Sequence, residues 1–104
     1  MDTYKIKLTM KAKNDYKRII RYIKFNLNEP KIAEKYAILI KDKINSLESY
    51  PHKFEIIKSK LIKQNDIRKM IINNYIVLYK ITEQKKEVVI LRILYNTMDW
   101  KDDV

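Results

Sequence analysis

Residues 66–100 read DIRKMIINNYIVLYKITEQKKEVVILRILYNTMDW, three strand-like runs in succession. Ile67 to Ile72, Tyr75 to Thr82 and Glu87 to Tyr95 are rich in Ile, Val, Leu and Tyr, side chains that suit a pleated, half-buried surface. Only Asn73-Asn74 separates the first two runs, and asparagine tolerates the positive φ that a tight hairpin turn demands. Glu83 to Lys86 separates the second run from the third. The segment predicts an antiparallel meander.

Upstream of it, residues 52–65 are polar and lysine-rich apart from Phe54, Ile56, Ile57, Leu61 and Ile62, which predicts a loop with room for a short strand or a turn of helix. Further back, Ala12, Tyr16, Ile19, Ile20, Ile23 and Leu27 recur at three and four and predict a helix from Lys11 to about Leu27. Asn28, Glu29 and Pro30 break it, with Pro30 suited to the first turn of a second helix. That helix runs to about Ser49 and buries Ala33, Tyr36, Ala37, Ile40, Ile44 and Leu47 before Tyr50-Pro51 ends it. Tyr4 to Thr9 alternates Tyr4, Ile6 and Leu8 against Lys5 and Lys7, a half-buried first strand. The order predicts an α+β domain in which an antiparallel helical hairpin covers one face of a four-stranded sheet.

Composition narrows the chemistry. A chain of 104 residues suffices for one compact domain, residues 1–104, with a modest core. With no cysteine there is neither a disulfide framework nor a thiolate site, and with one histidine, His52, a histidine-rich metal site is implausible. The opening MDTYKIKLT lacks an apolar signal region and no apolar run approaches the roughly 18 residues of a membrane span, so the cytosol is the expected compartment and no membrane partner is expected. A formal net charge of +10 implies attraction to polyanions or to an acidic protein.

The run Tyr4-x-Ile6-x-Leu8-Thr9, the helix carrying Asp15 and Ile19 to Ile23, and the helix end Ser46-Leu47-Glu48-Ser49-Tyr50-Pro51 are followed by Ile67-Arg68-Lys69, Asn74 to Tyr79, Val89 to Tyr95 and Asp99. In that order and spacing, over nearly the whole chain, they resemble the RelE/ParE toxin superfamily. The resemblance implies a bacterial type II toxin, held in a hetero-oligomer by a cognate antitoxin that wraps it. It also implies one of two targets: DNA gyrase, which is inhibited, or mRNA on the ribosome, which is cut. Neither branch implies a cofactor or a metal.

The ribonuclease branch needs clustered cations beside the RNA 2′-hydroxyl, to stabilise a phosphorane-like transition state. By resemblance Lys69 falls where a RelE-type lysine sits, and Tyr75 matches the tyrosine that precedes that branch's strand arginine, a position held here by Ile76. Thr97 and Met98 stand where the branch has basic residues after the last strand. Each missing contact to a developing oxyanion costs about 2.7–4 kcal/mol of barrier. The sequence therefore sits closer to ParE-like than to RelE-like members. A ribosome-dependent interferase and a non-toxic antitoxin-binding relative are the alternatives.

Four residues are the candidates for site chemistry: Arg68, Lys69, Arg92 and Tyr95. Arg68 and Lys69 are adjacent on a strand, so one of them must face solvent. Arg92 interrupts an apolar strand, on the same side as Val88, Ile90 and Leu94 if alternation holds. Either its head pairs with a carboxylate such as Asp66 or Asp99, or it meets phosphate or an antitoxin carboxylate. His52 is expected as an exposed loop residue, and Lys58, Lys60 and Lys63 as a solvated loop or a phosphate track. Asp15, Glu34, Asp42 and Glu48 are expected to pair with lysines on neighbouring helical turns, and Trp100 to cap the sheet.

Overall fold

A computed structural model of the chain describes residues 3–57 and 66–96. Within it the meander forms as expected: β2 (Arg68–Ile72), β3 (Tyr75–Thr82) and β4 (Glu87–Tyr95) pair antiparallel in sequence. Asn73 takes φ 53° in the first turn and Lys86 takes φ 51° in the second. The N-terminal strand β1 (Lys5–Leu8) pairs parallel with β4, so the sheet is mixed and runs β1-β4-β3-β2.

Between β1 and β2 lie α1 (Met10–Arg21) and α2 (Pro30–Asn45). Thr9 caps α1 by accepting the Ala12 N–H at 3.1 Å, and its hydroxyl donates to the Leu91 carbonyl at 2.9 Å. One side chain thus starts the helix and ties it to β4; such a cap contributes about 1 kcal/mol. The first helix was expected to run to Leu27. It does not continue as α-helix beyond Arg21, because Tyr22–Asn26 forms a π-helical turn in which the Leu27 N–H reaches the Tyr22 carbonyl at 3.1 Å. The wider turn shifts the apolar stripe. Ile23 stays buried while Leu27, expected on the buried face, is 51 % exposed. Asn28 then takes φ 53°, which stops the helix, and Pro30 opens α2. The second helix ends in two 3-10 turns, Ser46–Glu48 and Pro51–Lys53.

Both helices pack on one face of the sheet. Ala12, Ile40, Ile44 and Leu47 meet Met70, Ile72, Val77, Tyr79, Val88 and Ile90 in the main core. Tyr79 is buried there, and its hydroxyl donates to the Pro51 carbonyl at 2.6 Å, which satisfies the one polar atom the ring carries inward. On the opposite face Ile67, Ile76, Leu78 and Leu94 form a smaller cluster with Ile57 and Leu91 against it. The stretch read as a loop supplies that cover. Ile56 bridges Arg68, and the Ile57 N–H donates to the Ile67 carbonyl at 2.8 Å. Residues 58–65, which include the lysines expected as a loop, lie outside the described residues.

One irregularity positions everything that follows. Tyr79 stands opposite Ile90 and Leu78 opposite Arg92, so Leu91 is an extra residue in β4 and forms a bulge. The bulge breaks the alternation. Val88, Ile90 and Ile93 join the helix-side core while Leu94 joins the opposite cluster. Arg92 therefore does not share one side with Val88, Ile90 and Leu94, as simple alternation had it.

Candidate functional site

The bulge lies just past the end of β1, whose last paired residue, Leu8, faces Ile90. Beyond that point β4 has lost its neighbouring strand, and α1 takes over. The Asp15 carboxylate accepts the Ile93 N–H at 3.0 Å, standing in for a strand partner. It also receives Arg92 in a forked geometry, Nε at 2.7 Å and Nη2 at 3.0 Å. Asp15 is 2 % exposed, so this is a nearly dry ion pair with its acceptors filled. Asp15 was expected to pair with lysines along the helix surface; instead it points inward to the sheet. Its place in the apolar stripe, three residues after Ala12 and four before Ile19, is the sequence signal that marks it. Arg18 adds a longer contact to the same carboxylate at 3.7 Å while its own side chain is 71 % exposed.

Alongside this pair opens a groove of about 760 Å³ between the C-terminal half of α1, the start of α2 and the ends of β3 and β4. Its walls are aromatic. Tyr36 meets Tyr75 edge to face at 5.6 Å between centroids, and Tyr75 meets Tyr95 likewise at 5.6 Å. Tyr22, Ile32 and Leu27 complete the apolar rim, and Arg18 and Arg92 supply the charge. Burial, followed by the neighbouring phenols of Tyr36, Tyr95 and Tyr22, pushes the Tyr75 phenol above its ordinary pKa. A phenolate there is disfavoured at neutral pH, so the tyrosines offer flat apolar faces and O–H donors.

The four sequence candidates do not converge. The Arg68 guanidinium donates to the carbonyls of Phe54 at 2.6 Å and His52 at 3.2 Å, which ties the 3-10 turn to β2. Lys69 stands 3.5 Å from Glu55. Arg92 engages Asp15, and Tyr95 lines the groove at 41 % exposure. Asp66 is exposed, whereas Thr97, Met98, Asp99 and Trp100 lie outside the described residues.

His52 is exposed as expected, but it belongs to a cluster. Its Nε2 contacts the Glu83 carboxylate, to which the Tyr4 hydroxyl also donates at 3.0 Å. Lys86 lies 3.4 Å from the same carboxylate. The hydrogen bonds from His52 and then Tyr4 hold Glu83 below the usual carboxylate range. Among the described residues no group of three or more His, Asp or Glu side chains is placed to hold a metal ion. No described helix is long and apolar enough to cross a membrane.

Solved structures share this architecture. A chain of the chromosomal ParDE toxin–antitoxin system from P. aeruginosa superposes with a TM-score of 0.73 at 21 % identity, over 89 % of this chain and 96 % of that one. A chain of the RelBE toxin–antitoxin complex from Mycobacterium tuberculosis gives 0.65 at 21 % identity, over 91 % and 93 %. The isolated RelE toxin of E. coli gives 0.61 at 12 % identity, over 92 % and 87 %. The fold is thus the RelE/ParE toxin fold. No curated protein matches the sequence. Residues 6–100 match the family model for the ParE toxin of the type II toxin–antitoxin system parDE, and the chain belongs to that family.

Proposed function

We propose that the chain acts by binding, as a ParE-like inhibitor of a protein target such as DNA gyrase, and that a cognate antitoxin silences it by occupying the aromatic groove. The observation that carries the first half is the disposition of the strand cations. Arg68 is turned onto two backbone carbonyls, Lys69 onto Glu55 and Arg92 onto Asp15. Stabilising a pentavalent phosphorane requires several cations aimed at one point, and these three face three different partners. Ile76, where RelE-type members carry arginine, is buried in the cluster on the second face.

The groove supports the second half. Its aromatic walls would take the apolar side chains of an amphipathic segment, and Arg18 at the rim would meet a carboxylate on that segment. The ParDE and RelBE relatives are described as toxin–antitoxin systems, which supports a partner of this kind in a hetero-oligomer.

Controlled expression in a bacterial host tests the activity. The expected phenotype is growth arrest with filamentation while translation continues, together with loss of supercoiling by purified gyrase on adding the chain. Cleavage of ribosome-bound mRNA in codon phase would overturn the proposal in favour of an interferase. Normal growth at every expression level would overturn it in favour of a non-toxic antitoxin-binding relative.

A further inference from the structure

The exposed face of α1 carries charge of one sign only. Between Lys11 and Arg21 the exposed residues are Lys11, Lys13, Asn14, Lys17, Arg18 and Arg21, and the one carboxylate of the helix, Asp15, is buried against Arg92. At 100° per residue these side chains fill one arc of roughly 160°. The helix α2 differs. Its exposed surface mixes Lys31, Lys35, Lys41 and Lys43 with Glu34 and Asp42, and it exposes Ile32 and Ile38. A mixed surface of that kind is what solubility alone requires. On α1, Lys11, Lys13, Lys17 and Arg21 make no ion pair among the described residues.

We infer that this cationic ridge is a docking face for the phosphate backbone of duplex DNA, bound without sequence preference. A protein partner fits poorly: the cores of protein interfaces are depleted of lysine and enriched in aromatic residues, and along α1 the ridge exposes a single apolar residue, Met10 at its N-terminal end. Single strands fit poorly as well, since the same stretch offers no exposed aromatic ring on which a base could stack. Duplex geometry fits. The ridge is about 15 Å long at 1.5 Å per residue. Over that length B-DNA presents about nine phosphate charges, and its major groove admits an α-helix whose flanks reach both strands. The ridge is separate from the groove assigned to the antitoxin, apart from Arg18 at their shared edge, and the inference stands whatever fills that groove.

The test is fluorescence anisotropy of a labelled DNA duplex of about three helical turns, titrated with the purified full chain at several salt concentrations. The ridge variant carries Lys13→Gln, Lys17→Gln and Arg21→Gln; the control carries Lys5→Gln, Lys80→Gln and Lys85→Gln, an equal charge change at exposed positions off the helix. Loss of three phosphate contacts lowers the slope of log affinity against log salt by about 2.7, which is about 40-fold of the wild-type drop between roughly 50 and 200 mM salt. The control keeps the wild-type slope. Equal losses in both variants would overturn the inference, because binding would then follow net charge rather than the ridge. So would equal affinity for poly-glutamate, which would indicate an acidic protein partner. Unchanged thermal unfolding of both variants separates a lost surface from a lost fold.

Discussion

Replacing Asp15 with asparagine keeps the size of the side chain but withdraws its charge from beneath the Arg92 guanidinium. In the native protein that carboxylate receives two N–H donors from Arg92 and the Ile93 N–H, at 2.7, 3.0 and 3.0 Å, while only 2 % exposed. Removing one member of a buried pair costs about 3–5 kcal/mol, because the other charge is left in a poorly hydrated site. The Arg92 side chain retains 16 % exposure, so water can reach it in part and the lower end, about 3 kcal/mol, is expected. For a chain of this size that lowers the unfolding midpoint by about 15 °C. The measurement is urea and thermal unfolding of the purified chain followed by circular dichroism. A double-mutant cycle with Asp15→Leu and Arg92→Met isolates the pair. The double variant should recover at least about 1.5 kcal/mol relative to the sum of the singles, since an apolar pair leaves no stranded charge. Additive singles, or a loss below about 1 kcal/mol for Asp15→Asn, would refute the assignment of this pair as the clamp between α1 and the β4 bulge.

The same reasoning predicts about 1 kcal/mol or less for Arg18→Gln, because that contact is 3.7 Å long and the guanidinium is 71 % exposed; a larger loss in the same unfolding assay would contradict it. Tyr79→Phe removes the bond to the Pro51 carbonyl and should cost about 1 kcal/mol at neutral pH. Burial also pushes the Tyr79 phenol up to about 12. Its contribution is therefore complete below its unfolded value near 10 and is lost as pH rises towards 12, so Tyr79→Phe should flatten the alkaline limb of a stability–pH profile. Glu83, held low by His52 and Tyr4, contributes above its ordinary pKa of 4.5 and loses that contribution as pH falls through its depressed value. Glu83→Gln should accordingly flatten the acid limb. Tyr95→Ala should weaken binding of the cognate antitoxin at least about tenfold in calorimetry, while moving the unfolding midpoint by only a few degrees, since the ring lies at the groove rim.

Local order was written along the chain. The two-residue Asn73-Asn74 turn, the β-branched runs on either side of it and the three-and-four spacing of Ala12, Tyr16, Ile19 and Ile23 set the strands, the hairpin and the helices, because each depends on neighbours a few positions away. Asp15 stands at an apolar position of its helix, but its helical neighbours pointed instead to lysines on the helix surface.

Its partner was not marked, because Asp15 and Arg92 are 77 residues apart and meet only where Leu91 bulges and β1 has run out. The same bulge reversed the alternation by which Arg92 was first assigned a side. The groove has the same origin: Tyr22, Tyr36, Tyr75 and Tyr95 come from four elements, and nothing in the spacing of those tyrosines announces a common wall. Sequence alone determined the elements, the family resemblance and the net positive charge, all of which follow from short-range periodicity and composition. The one-signed exposed face of α1, by contrast, arises only because Asp15 is buried against Arg92. Only the tertiary structure decided which cations are already held by partners and which tyrosines meet, because those depend on strand register and on the docking of a helix at a sheet edge.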